Sequence, residues 1–460
     1  MLKQVGSAWS RLLAAAIVGC AGASALAQCT NPTSGPDVIV SSVSGASNYG
    51  SVGSITAFAV GTTSCNVGDA NLDWEDSDPR HPVIAQNLFR LKDGRIEQIG
   101  MAWLKHGFAS TNSESCGCNC DDPGTFRLLG PGCSDTYDST LNGEQFTMGP
   151  RSEVNAFTGE FPYPPSNQGN GNAIYKRLQA EVADIDPALN PGALYYAETQ
   201  YVALDDAMFG NQANNTSYRP VTFSFSGGRW RLSTTGSTVQ QKAAIQAWRT
   251  ADPTVTETEV LIPDEGRLIV SAKATDLGDG THRYEYAVYN QYSDRSVGAF
   301  TVPLPASATV SNIGFHDVAY HSGEPYSGTD WVGTRVGDTI VWATETHAAN
   351  PNANAIRWGT TYNFRFDADV APTTGDATLG LFKPGTPESV TASTIVPTIS
   401  TPALPGDLNG DCVVDLTDLG TMLANFGLSG QSYEDGDIDG NGTIDLGDLG
   451  VLLSNYGQTC

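Results

Sequence analysis

Basic residues are scarce in this sequence of 460 residues, which has 24 lysines and arginines against 50 aspartates and glutamates. The formal net charge of −26 argues against sequence-independent nucleic-acid binding, because Lys and Arg must displace the counterions of the phosphates. It also argues against adhesion to an anionic membrane surface, which needs clusters of basic residues. The predicted partners therefore include no nucleic acid.

Long hydrophobic runs are also missing, because no segment has the roughly 18 consecutive apolar residues of a membrane-spanning helix. The apolar run near the N terminus, residues 12–18, follows Lys3 and Arg11 and precedes the Ala-Leu-Ala of residues 25–27. A basic region, a short apolar region and small residues in this order are typical of a secretory signal peptide. We predict a signal peptide over residues 1–27 and a secreted or cell-surface protein without a transmembrane segment.

The sequence has nine cysteines, of which Cys20 fits a lipoprotein box and so offers an alternative export route. Eight remain, an even number that predicts disulfides in an exported protein. They are Cys29, Cys65, Cys116, Cys118, Cys120, Cys133, Cys412 and Cys460. We predict a Cys29–Cys65 pair. The four cysteines of residues 116–133 are predicted to be oxidised, since their spacing differs from the Cys-x2-Cys pattern of zinc sites.

The motifs of common hydrolases are absent, since the sequence has no Gly-x-Ser-x-Gly elbow, His-Glu-x-x-His zinc motif or P-loop. A glycosidase needs two carboxylates at a set separation. The candidate carboxylates are Glu198, Asp205 and Asp206. Two further groups of titratable residues are His316, Asp317, His321 and Glu324, and Glu345 with His347. We favour structural roles for both groups, and leave open whether the chain is an enzyme, with an O-glycosyl hydrolase as the first candidate.

Methionine is rare, at 5 residues, whereas Gly, Thr, Ser, Val and Tyr are abundant, which favours β-structure over helical bundles. The clearest alternation places Tyr284, Tyr286 and Val288 on one face of a strand. Many such segments, with turn residues at short intervals, predict a mainly β, sandwich-like fold for residues 28–384. This region is predicted to form either one sandwich or two packed units, and it resembles no characterised family.

Some segments differ from this strand pattern. Residues 173–183 and 238–249 are predicted helices, and the Gly-, Cys- and Asp-rich residues 112–150 are a predicted disulfide-pinned loop. Residues 385–405 are rich in Thr, Ser and Pro, a composition typical of an extended linker. We therefore place a linker between the β-region and a small C-terminal module at residues 406–460.

Six aromatic side chains between residues 320 and 362 have two interpretations. They are Trp331, Trp342, Trp358, Tyr320, Tyr326 and Tyr362. They could form a platform that stacks on a glycan ligand, or they could belong to the hydrophobic core. In β-proteins such side chains lie in the core more often, so we favour the core and keep a glycan as a candidate ligand.

The C-terminal module contains a twelve-residue pattern twice, at residues 407–418 and 437–448. In both copies an oxygen-bearing side chain stands at positions 1, 3, 5, 9 and 12, and position 7 supplies a carbonyl, as in loops that surround calcium. The predicted ligands of two calcium ions are Asp407, Asn409, Asp411, Val413, Asp415 and Asp418, and Asp437, Asp439, Asn441, Thr443, Asp445 and Asp448.

A helix with an apolar stripe is predicted after each loop, ending at Gly427 and Gly457 respectively. The apolar residues at position 8, Val414 and Ile444, are predicted to let the two loops pair back to back. The ten acidic residues from 407 to 448 have no Lys or Arg beside them in the module. Without a cation they would repel one another, so we expect the module to fold together with metal binding.

Residues 406–457 resemble a dockerin of type I-like pattern, with two calcium loop–helix repeats that lack the entering helix of a full EF-hand. The resemblance implies a small all-α calcium-binding module. It also implies docking to a cohesin-like receptor domain, commonly on a scaffold of polysaccharide-degrading systems. The match covers about an eighth of the chain, and loop, helix stripe and terminal glycine recur together at one offset.

The module departs from the dockerin pattern at two places. In dockerins a Ser/Thr pair at positions 10 and 11 contributes to cohesin recognition. Here these positions hold Leu416-Thr417 in the first loop and Leu446-Gly447 in the second. Cys412 stands at position 6, where a glycine is usual. An antiparallel arrangement of the repeats would bring the chain end back to the first loop, so we predict a Cys412–Cys460 disulfide that clasps the module.

The sequence as a whole predicts a secreted calcium-binding protein that acts as a non-catalytic binding or assembly component. It would dock through residues 406–460 to a cell-surface or extracellular complex. One alternative is a polysaccharide-active glycoside hydrolase or lyase with its catalytic site in the β-region. Another is that the calcium repeat is only a structural terminus without a receptor.

Overall fold

The computed structural model describes residues 32–107, 109–305, 307–398, 404–409 and 411–459. The predicted signal peptide, Cys20, Cys29 and Cys460 lie outside these residues. Across the described residues, every helix is too short or too polar to cross a membrane.

The first part of the β-region forms three antiparallel sheets. Its strands are β1 (Val38–Val52), β2 (Ile55–Asn66), β3 (Leu72–Asp73), β4 (Val83–Lys92), β5 (Arg95–Met101), β6 (Leu104–Lys105), β7 (Leu128–Leu129), β8 (Ser134–Tyr137), β9 (Met148–Gly149), β10 (Leu178–Glu181), β11 (Leu194–Val202), β12 (Thr216–Ser226) and β13 (Arg229–Thr234). One sheet contains β1, β2, β8 and β10, and a seven-stranded sheet runs β13-β12-β11-β4-β6-β9 with β5 paired to β4. Strands β3 and β7 form a separate pair.

The four-stranded and seven-stranded sheets pack face to face. Phe58 of β2 lies in one buried cluster with Leu88 of β4, Tyr201 of β11 and Phe223 of β12. The alternation of apolar residues along these strands supplies this inner face. The two sheets therefore form a first sandwich.

The second part of the β-region forms two five-stranded antiparallel sheets. Its strands are β14 (Thr256–Ile262), β15 (Gly266–Asp276), β16 (His282–Asn290), β17 (Val297–Pro303), β18 (Val310–His316), β19 (Thr334–Val336), β20 (Thr339–Ala343), β21 (Thr360–Ala368), β22 (Pro372–Leu381) and β23 (Ser389–Pro397). The orders are β14-β15-β16-β21-β18 and β19-β20-β17-β22-β23. Tyr286 and Phe364 of one sheet pack with Phe300 and Trp342 of the other, which makes a second sandwich.

The two sandwiches pack against each other through β16 and its neighbours. Tyr284, Tyr286 and Val288 face the core of the second sandwich, as the alternation predicts. Tyr289 projects from the opposite face of β16 and lies in a buried cluster with Tyr196 of β11. Because β16 is covered on both sides, it carries apolar side chains on both of its faces. The prediction of a mainly β, sandwich-like fold is confirmed.

A buried polar network also joins the two sandwiches. The Arg151 guanidinium donates to Asn87 Oδ1 at 2.8 Å and to the Gly359 carbonyl at 3.2 Å. Glu198 accepts hydrogen bonds from Asn87 Nδ2 at 2.7 Å and from the Tyr289 hydroxyl at 3.1 Å. Because buried polar groups need partners, these contacts fix one orientation of the two sandwiches.

Helices are short in the β-region and longer in the C-terminal module. They are α1 (Ser139–Asn142), α2 (Val182–Ile185), α3 (Leu204–Met208), α4 (Ala247–Ala251), α5 (Leu416–Asn425) and α6 (Leu446–Asn455), with 3-10 turns at Gln145–Thr147, Arg151–Glu153, Gln212–Asn214, Ala244–Gln246 and Tyr433–Asp435. The predicted helix at residues 173–183 is wrong, because β10 pairs there with β2 and buries Leu178 and Ala180 at a spacing of two. The prediction at residues 238–249 holds only where a 3-10 turn leads into α4.

The predicted linker at residues 385–405 is wrong over β23. This strand pairs along its whole length with β22 and buries Ala392 and Val396 in the second core. Thr and Val are strong strand formers. Thr394 is buried on the same face as Ala392 and Val396, whereas Thr391 and Ser393 are exposed. Among the described residues that follow, 398 and 404–405 are the part of the predicted linker outside any strand or helix.

Candidate metal centre in the C-terminal repeats

Each repeat of the C-terminal module is a loop that leads into a helix. Asp415 caps α5, and its carboxylate accepts the Thr417 N–H at 2.7 Å. Asp445 caps α6 in the same way, accepting the Gly447 N–H at 2.6 Å. Short polar side chains at this position satisfy the free N–H groups of a helix start. The residue at position 9 of each loop is therefore also the residue that caps the following helix.

In each loop the carboxylate at position 12 accepts hydrogen bonds from main-chain N–H groups at the start and near the end of the same loop. Asp448 Oδ1 accepts the Ile438 N–H at 2.8 Å, and its Oδ2 accepts the Asp445 N–H at 2.9 Å. The Asp418 carboxylate makes the equivalent two bonds in the first loop, at 2.8 and 2.9 Å. Burial of Asp448 works against ionisation, but the main-chain N–H donors outweigh it and lower the pKa of this carboxyl. Both loops thus share one geometry.

The second loop gathers three carboxylates. One oxygen each of Asp437, Asp439 and Asp448 lies within 4.8 Å of the others. Asp437 is only 7% exposed, and its Oδ2 accepts the Gly442 N–H at 2.9 Å. Its Oδ1 is buried and has no hydrogen-bond partner. A buried carboxylate oxygen without a donor is costly, and a hard cation such as calcium, which takes oxygen ligands, suits this donor set.

The sixth position of each loop is the sharp turn. Gly442 has a φ of 86° and Cys412 a φ of 68°, both in the left-handed region. The Cys412 N–H donates to Asp407 Oδ2 at 3.0 Å, as Gly442 does in the second loop. Cys412 is a free thiol, and Cys460, its partner in the predicted disulfide, lies outside the described residues. The chain does return to the first loop, where Thr459 pairs with Val413.

The two repeats close each other. The Gly457 N–H, after α6, donates to the Val414 carbonyl of the first loop at 2.8 Å. The Gly427 N–H, after α5, donates to the Ile444 carbonyl of the second loop at 2.8 Å. Val414 and Ile444 lie fully buried in one cluster with Met422 of α5 and its counterpart in α6. The predicted contact of the two loops is therefore made by side chains, whereas each main chain pairs with the tail of the other repeat.

Six large apolar side chains of the module are exposed. They come in pairs from the two repeats: Leu416 and Leu446, Leu423 and Leu453, and Phe426 and Tyr456. Leu416 and Leu446 are 73% and 75% exposed, although each opens a helix. Large apolar side chains exposed at matching places are typical of a surface that binds another molecule.

The cysteines near residue 116 are oxidised, as predicted. The disulfides are Cys65–Cys116 and Cys120–Cys133, and Cys118 is also disulfide-bonded. The predicted Cys29–Cys65 pair is wrong, because β2 pairs with β8 and the residue before Cys116 lies against that strand. The predicted loop at residues 112–150 also contains β7, β8, β9 and α1.

The histidine group does not converge on a common point. His316 Nε2 lies 3.2 Å from the Gln98 carbonyl, and His321 Nε2 donates to the Met101 carbonyl at 2.8 Å. The remaining contacts are Asp317 with Asn354 and Glu324 with the main-chain N–H groups of Arg151 and Ser152. Burial lowers the pKa of His321 to about 4, so it is neutral near neutral pH. These residues stabilise the fold, as the structural interpretation predicts.

The second titratable pair is similarly engaged. Glu345 accepts from Asn350 Nδ2 at 2.7 Å, and the His347 ring packs edge-on against Phe382. Neither contact brings a second acid or base into reach. The pair therefore has local structural partners.

The three candidate glycosidase carboxylates are bound inside the fold. Glu198 and Asp206 are fully buried, and burial raises the pKa of both. Asp206 accepts the Val38 N–H at 2.8 Å, and Asp205 accepts the Asp73 N–H at 2.7 Å. Burial raises the pKa of Asp205 to about 6. Each carboxylate thus satisfies main-chain or side-chain donors that hold strands together.

Four of the six aromatic side chains belong to the hydrophobic core. Trp331, Trp342 and Tyr362 are buried in the second sandwich, and Trp358 is buried beneath the polar network between the sandwiches. Tyr320 and Tyr326 are half-buried and contact each other. The core interpretation is confirmed for the four that are buried.

No family model and no curated protein matches this chain. Among solved structures, a serine-rich repeat adhesion glycoprotein from Streptococcus agalactiae aligns with 78% of this chain and 97% of its own, at 9% identity and a TM-score of 0.20. The B domain of a biofilm-associated protein aligns with 78% of this chain and 86% of its own, at 9% identity and a TM-score of 0.15. TM-scores this low do not establish a shared fold.

Proposed function

We propose that this chain is an exported, extracellular calcium-binding protein whose C-terminal module takes two calcium ions and docks to a receptor domain. The two sandwiches would then act as a non-catalytic binding or assembly component of a cell-surface or extracellular complex. The intrachain disulfides at residues 65–133 support an oxidising destination.

The observation that carries the calcium proposal is the unpartnered Asp437 Oδ1, buried among the carboxylates of Asp439 and Asp448. Three carboxylates this close repel one another unless a cation lies between them. The same loop hydrogen bonds recur in the first repeat, which supports a second ion held by Asp407, Asp411 and their neighbours. Calcium would supply the missing charge and oxygen coordination for both loops.

The full chain with Asp407→Ala and Asp437→Ala tests the calcium proposal. In the wild type, saturating calcium is expected to stabilise the module by about 3 kcal/mol for each bound ion at a hundredfold excess over Kd. The double variant is expected to lose this stabilisation while the unfolding of the sandwiches stays unchanged. Differential scanning calorimetry with and without calcium measures both transitions.

A matched control is Glu434→Ala, which removes an exposed acid of the same module that lies outside both loops. It is expected to keep the calcium-dependent shift. If the double variant shifts as much as this control does, the ligand assignment is wrong.

The docking proposal draws support from these exposed apolar side chains. Leu416 and Leu446 stand at position 10 of their loops, one of the two positions that contribute to cohesin recognition in dockerins, and both side chains are exposed. The module carries no Lys or Arg, so a partner with an apolar centre and a basic rim would complement it. A cohesin-like domain is the partner that the resemblance implies.

The double variant Leu416→Glu with Leu446→Glu tests docking separately from calcium. It is expected to weaken calcium-dependent binding of the full chain to cohesin-like domains at least about tenfold, because buried apolar anchors dominate such interfaces. Surface plasmon resonance measures the affinity, and calorimetry checks that calcium uptake is kept. Leu261→Glu, an exposed leucine of β14, is the control. Equal binding by the double variant and this control would contradict the docking face.

A further inference from the structure

The dipeptide Asn-Gly occurs four times in this chain, twice within the calcium loops. The pairs are Asn142-Gly143, Asn170-Gly171, Asn409-Gly410 and Asn441-Gly442. Glycine has no side chain that shields its main-chain nitrogen, so an asparagine before it is open to attack on its side-chain amide. Asn170 is exposed in the segment between β9 and β10, outside the calcium repeats, and Gly410 lies outside the described residues, so Asn441 is compared with the buried Asn142.

The Gly442 N–H donates to Asp437 Oδ2 at 2.9 Å, so its nitrogen can attack only when the second loop opens. The Asn441 side chain is exposed, and its Oδ1 accepts the Thr443 N–H at 2.9 Å. This hydrogen bond closes a ring that contains the Gly442 peptide, so the side-chain carbonyl is folded back over the residue whose nitrogen would attack it. The N–H donor also stabilises the negative charge that develops on the carbonyl oxygen during attack.

Asn142 provides the opposite environment in the same chain. It is fully buried at the end of α1, and its Nδ2 donates to the Val60 carbonyl at 3.0 Å and to Thr62 Oγ1 at 3.1 Å. Its amide group is therefore held by two partners, and the closed core gives little room for the side chain to turn onto Gly143. The two pairs share their chemistry and differ in their surroundings.

We propose that Asn441 is a site of spontaneous deamidation whose rate is controlled by calcium in the second loop. When the loop opens, the Gly442 N–H leaves Asp437 Oδ2, the nitrogen loses its proton to solvent and attacks Asn441 Cγ, the Cγ–Nδ2 bond breaks, and ammonia leaves. Water then opens the resulting succinimide at either carbonyl, which gives aspartate or isoaspartate. The net reaction takes up one water and releases one ammonia, so it needs no further reactant.

Calcium opposes the reaction for a geometric reason, and this half of the inference rests on the proposed function. The succinimide is a five-membered ring that contains the main chain, and forming it takes Asn441 Oδ1 away from position 5 of the loop. A ligand that binds only the intact loop slows every reaction that must open it. Isoaspartate adds a carbon to the main chain after position 5, which moves Thr443, Asp445 and Asp448 out of register. A period without calcium would therefore cause a permanent loss of binding.

The test is an incubation of the full chain at mildly alkaline pH, with excess calcium or with a chelator, followed by peptide mass spectrometry. With chelator, conversion of Asn441 to the acid is expected to outpace conversion of Asn142 clearly. Calcium is expected to slow the Asn441 reaction about tenfold or more. Wild type that contains isoaspartate at residue 441 after incubation is expected to take up less calcium than the same sample before incubation.

Equal conversion of Asn441 and Asn142 in chelator would contradict the proposal that Asn441 is a preferred site of deamidation. Conversion of Asn441 at the same rate with and without calcium, in a sample whose calcium uptake is measured by calorimetry, would overturn the control by calcium. A sample that takes up no calcium contradicts the proposed function and with it this control. The comparison of Asn441 with Asn142 then still decides whether the site exists.

Discussion

At the scale of single residues, Cys412 is the position where the two loops differ most in backbone demand. A side chain in the left-handed region costs about 1–2 kcal/mol relative to glycine, which the second loop avoids with Gly442. The thiol has no disulfide that would offset this cost. The first loop should therefore be the less stable of the two.

The variant Cys412→Gly is predicted to stabilise the first loop. We expect a gain of about 0.5–1 kcal/mol, because the relief of the left-handed strain exceeds the entropy that glycine adds to the unfolded chain. Calcium-saturated thermal unfolding of the full chain measures it, and Gly442→Ala should shift the midpoint in the opposite direction. A Cys412→Gly variant no more stable than the wild type would show that the turn carries no strain.

Residue types and spacing were enough to find the two loops and the helices that follow them, but they did not determine the pairing of the cysteines. An even count predicts oxidation, whereas the partner of Cys65 depends on the register of β2 and β8. That register places Cys65 opposite Ser134, and the Ser113–Ser134 bridge brings Cys116 to it. Sheet registry of this kind has no marker in the sequence around the cysteine.

At the scale of elements, each loop of the module is paired through main-chain hydrogen bonds with the residues that follow the helix of the other repeat. The first loop is closed by residues 457–459 and the second by residues 427–430. The thirty-residue period reveals the repeats and their helices. It does not reveal which repeat closes which loop, since the bonds are made by main-chain atoms that any residue carries.

A chain that ends at Tyr456 is predicted to bind calcium poorly in the first loop. It would leave the buried Val414 without the main-chain partners of residues 457 and 458, at a cost of about 1–3 kcal/mol. Isothermal calorimetry should then show one strong site, in the second loop. Removal of Cys460 alone is the control and should leave both sites. Two unchanged sites in the shorter chain would show that the tail does not close the loop.

The strands of the sandwiches were predictable where apolar residues alternate, as along β16. Two segments were assigned wrongly for different reasons. Residues 173–183 have helix-forming residues, but β10 is buried against β2 and tertiary packing overrides the local preference. Residues 389–397 have the composition of a linker, yet their Thr and Val residues fit a strand that completes the sheet.

At the scale of the whole molecule, the junction of the two sandwiches could not be predicted from the sequence. Glu198 and Arg151 are far apart along the chain, and acids such as Glu198 are usually exposed, so it stood out only as a catalytic candidate. In the structure it accepts three hydrogen bonds, including the Ala244 N–H at 2.6 Å. A buried carboxyl group with these partners holds two layers in one orientation.

The most direct test of the account is a calcium titration of the full chain after treatment with a chelator, followed by isothermal calorimetry and circular dichroism. The account predicts uptake of two ions per chain, together with a gain in helical signal from α5 and α6 and no change in the β-signal. Absence of calcium uptake would contradict it, because the buried carboxylates of Asp437 and Asp448 would then need no cation.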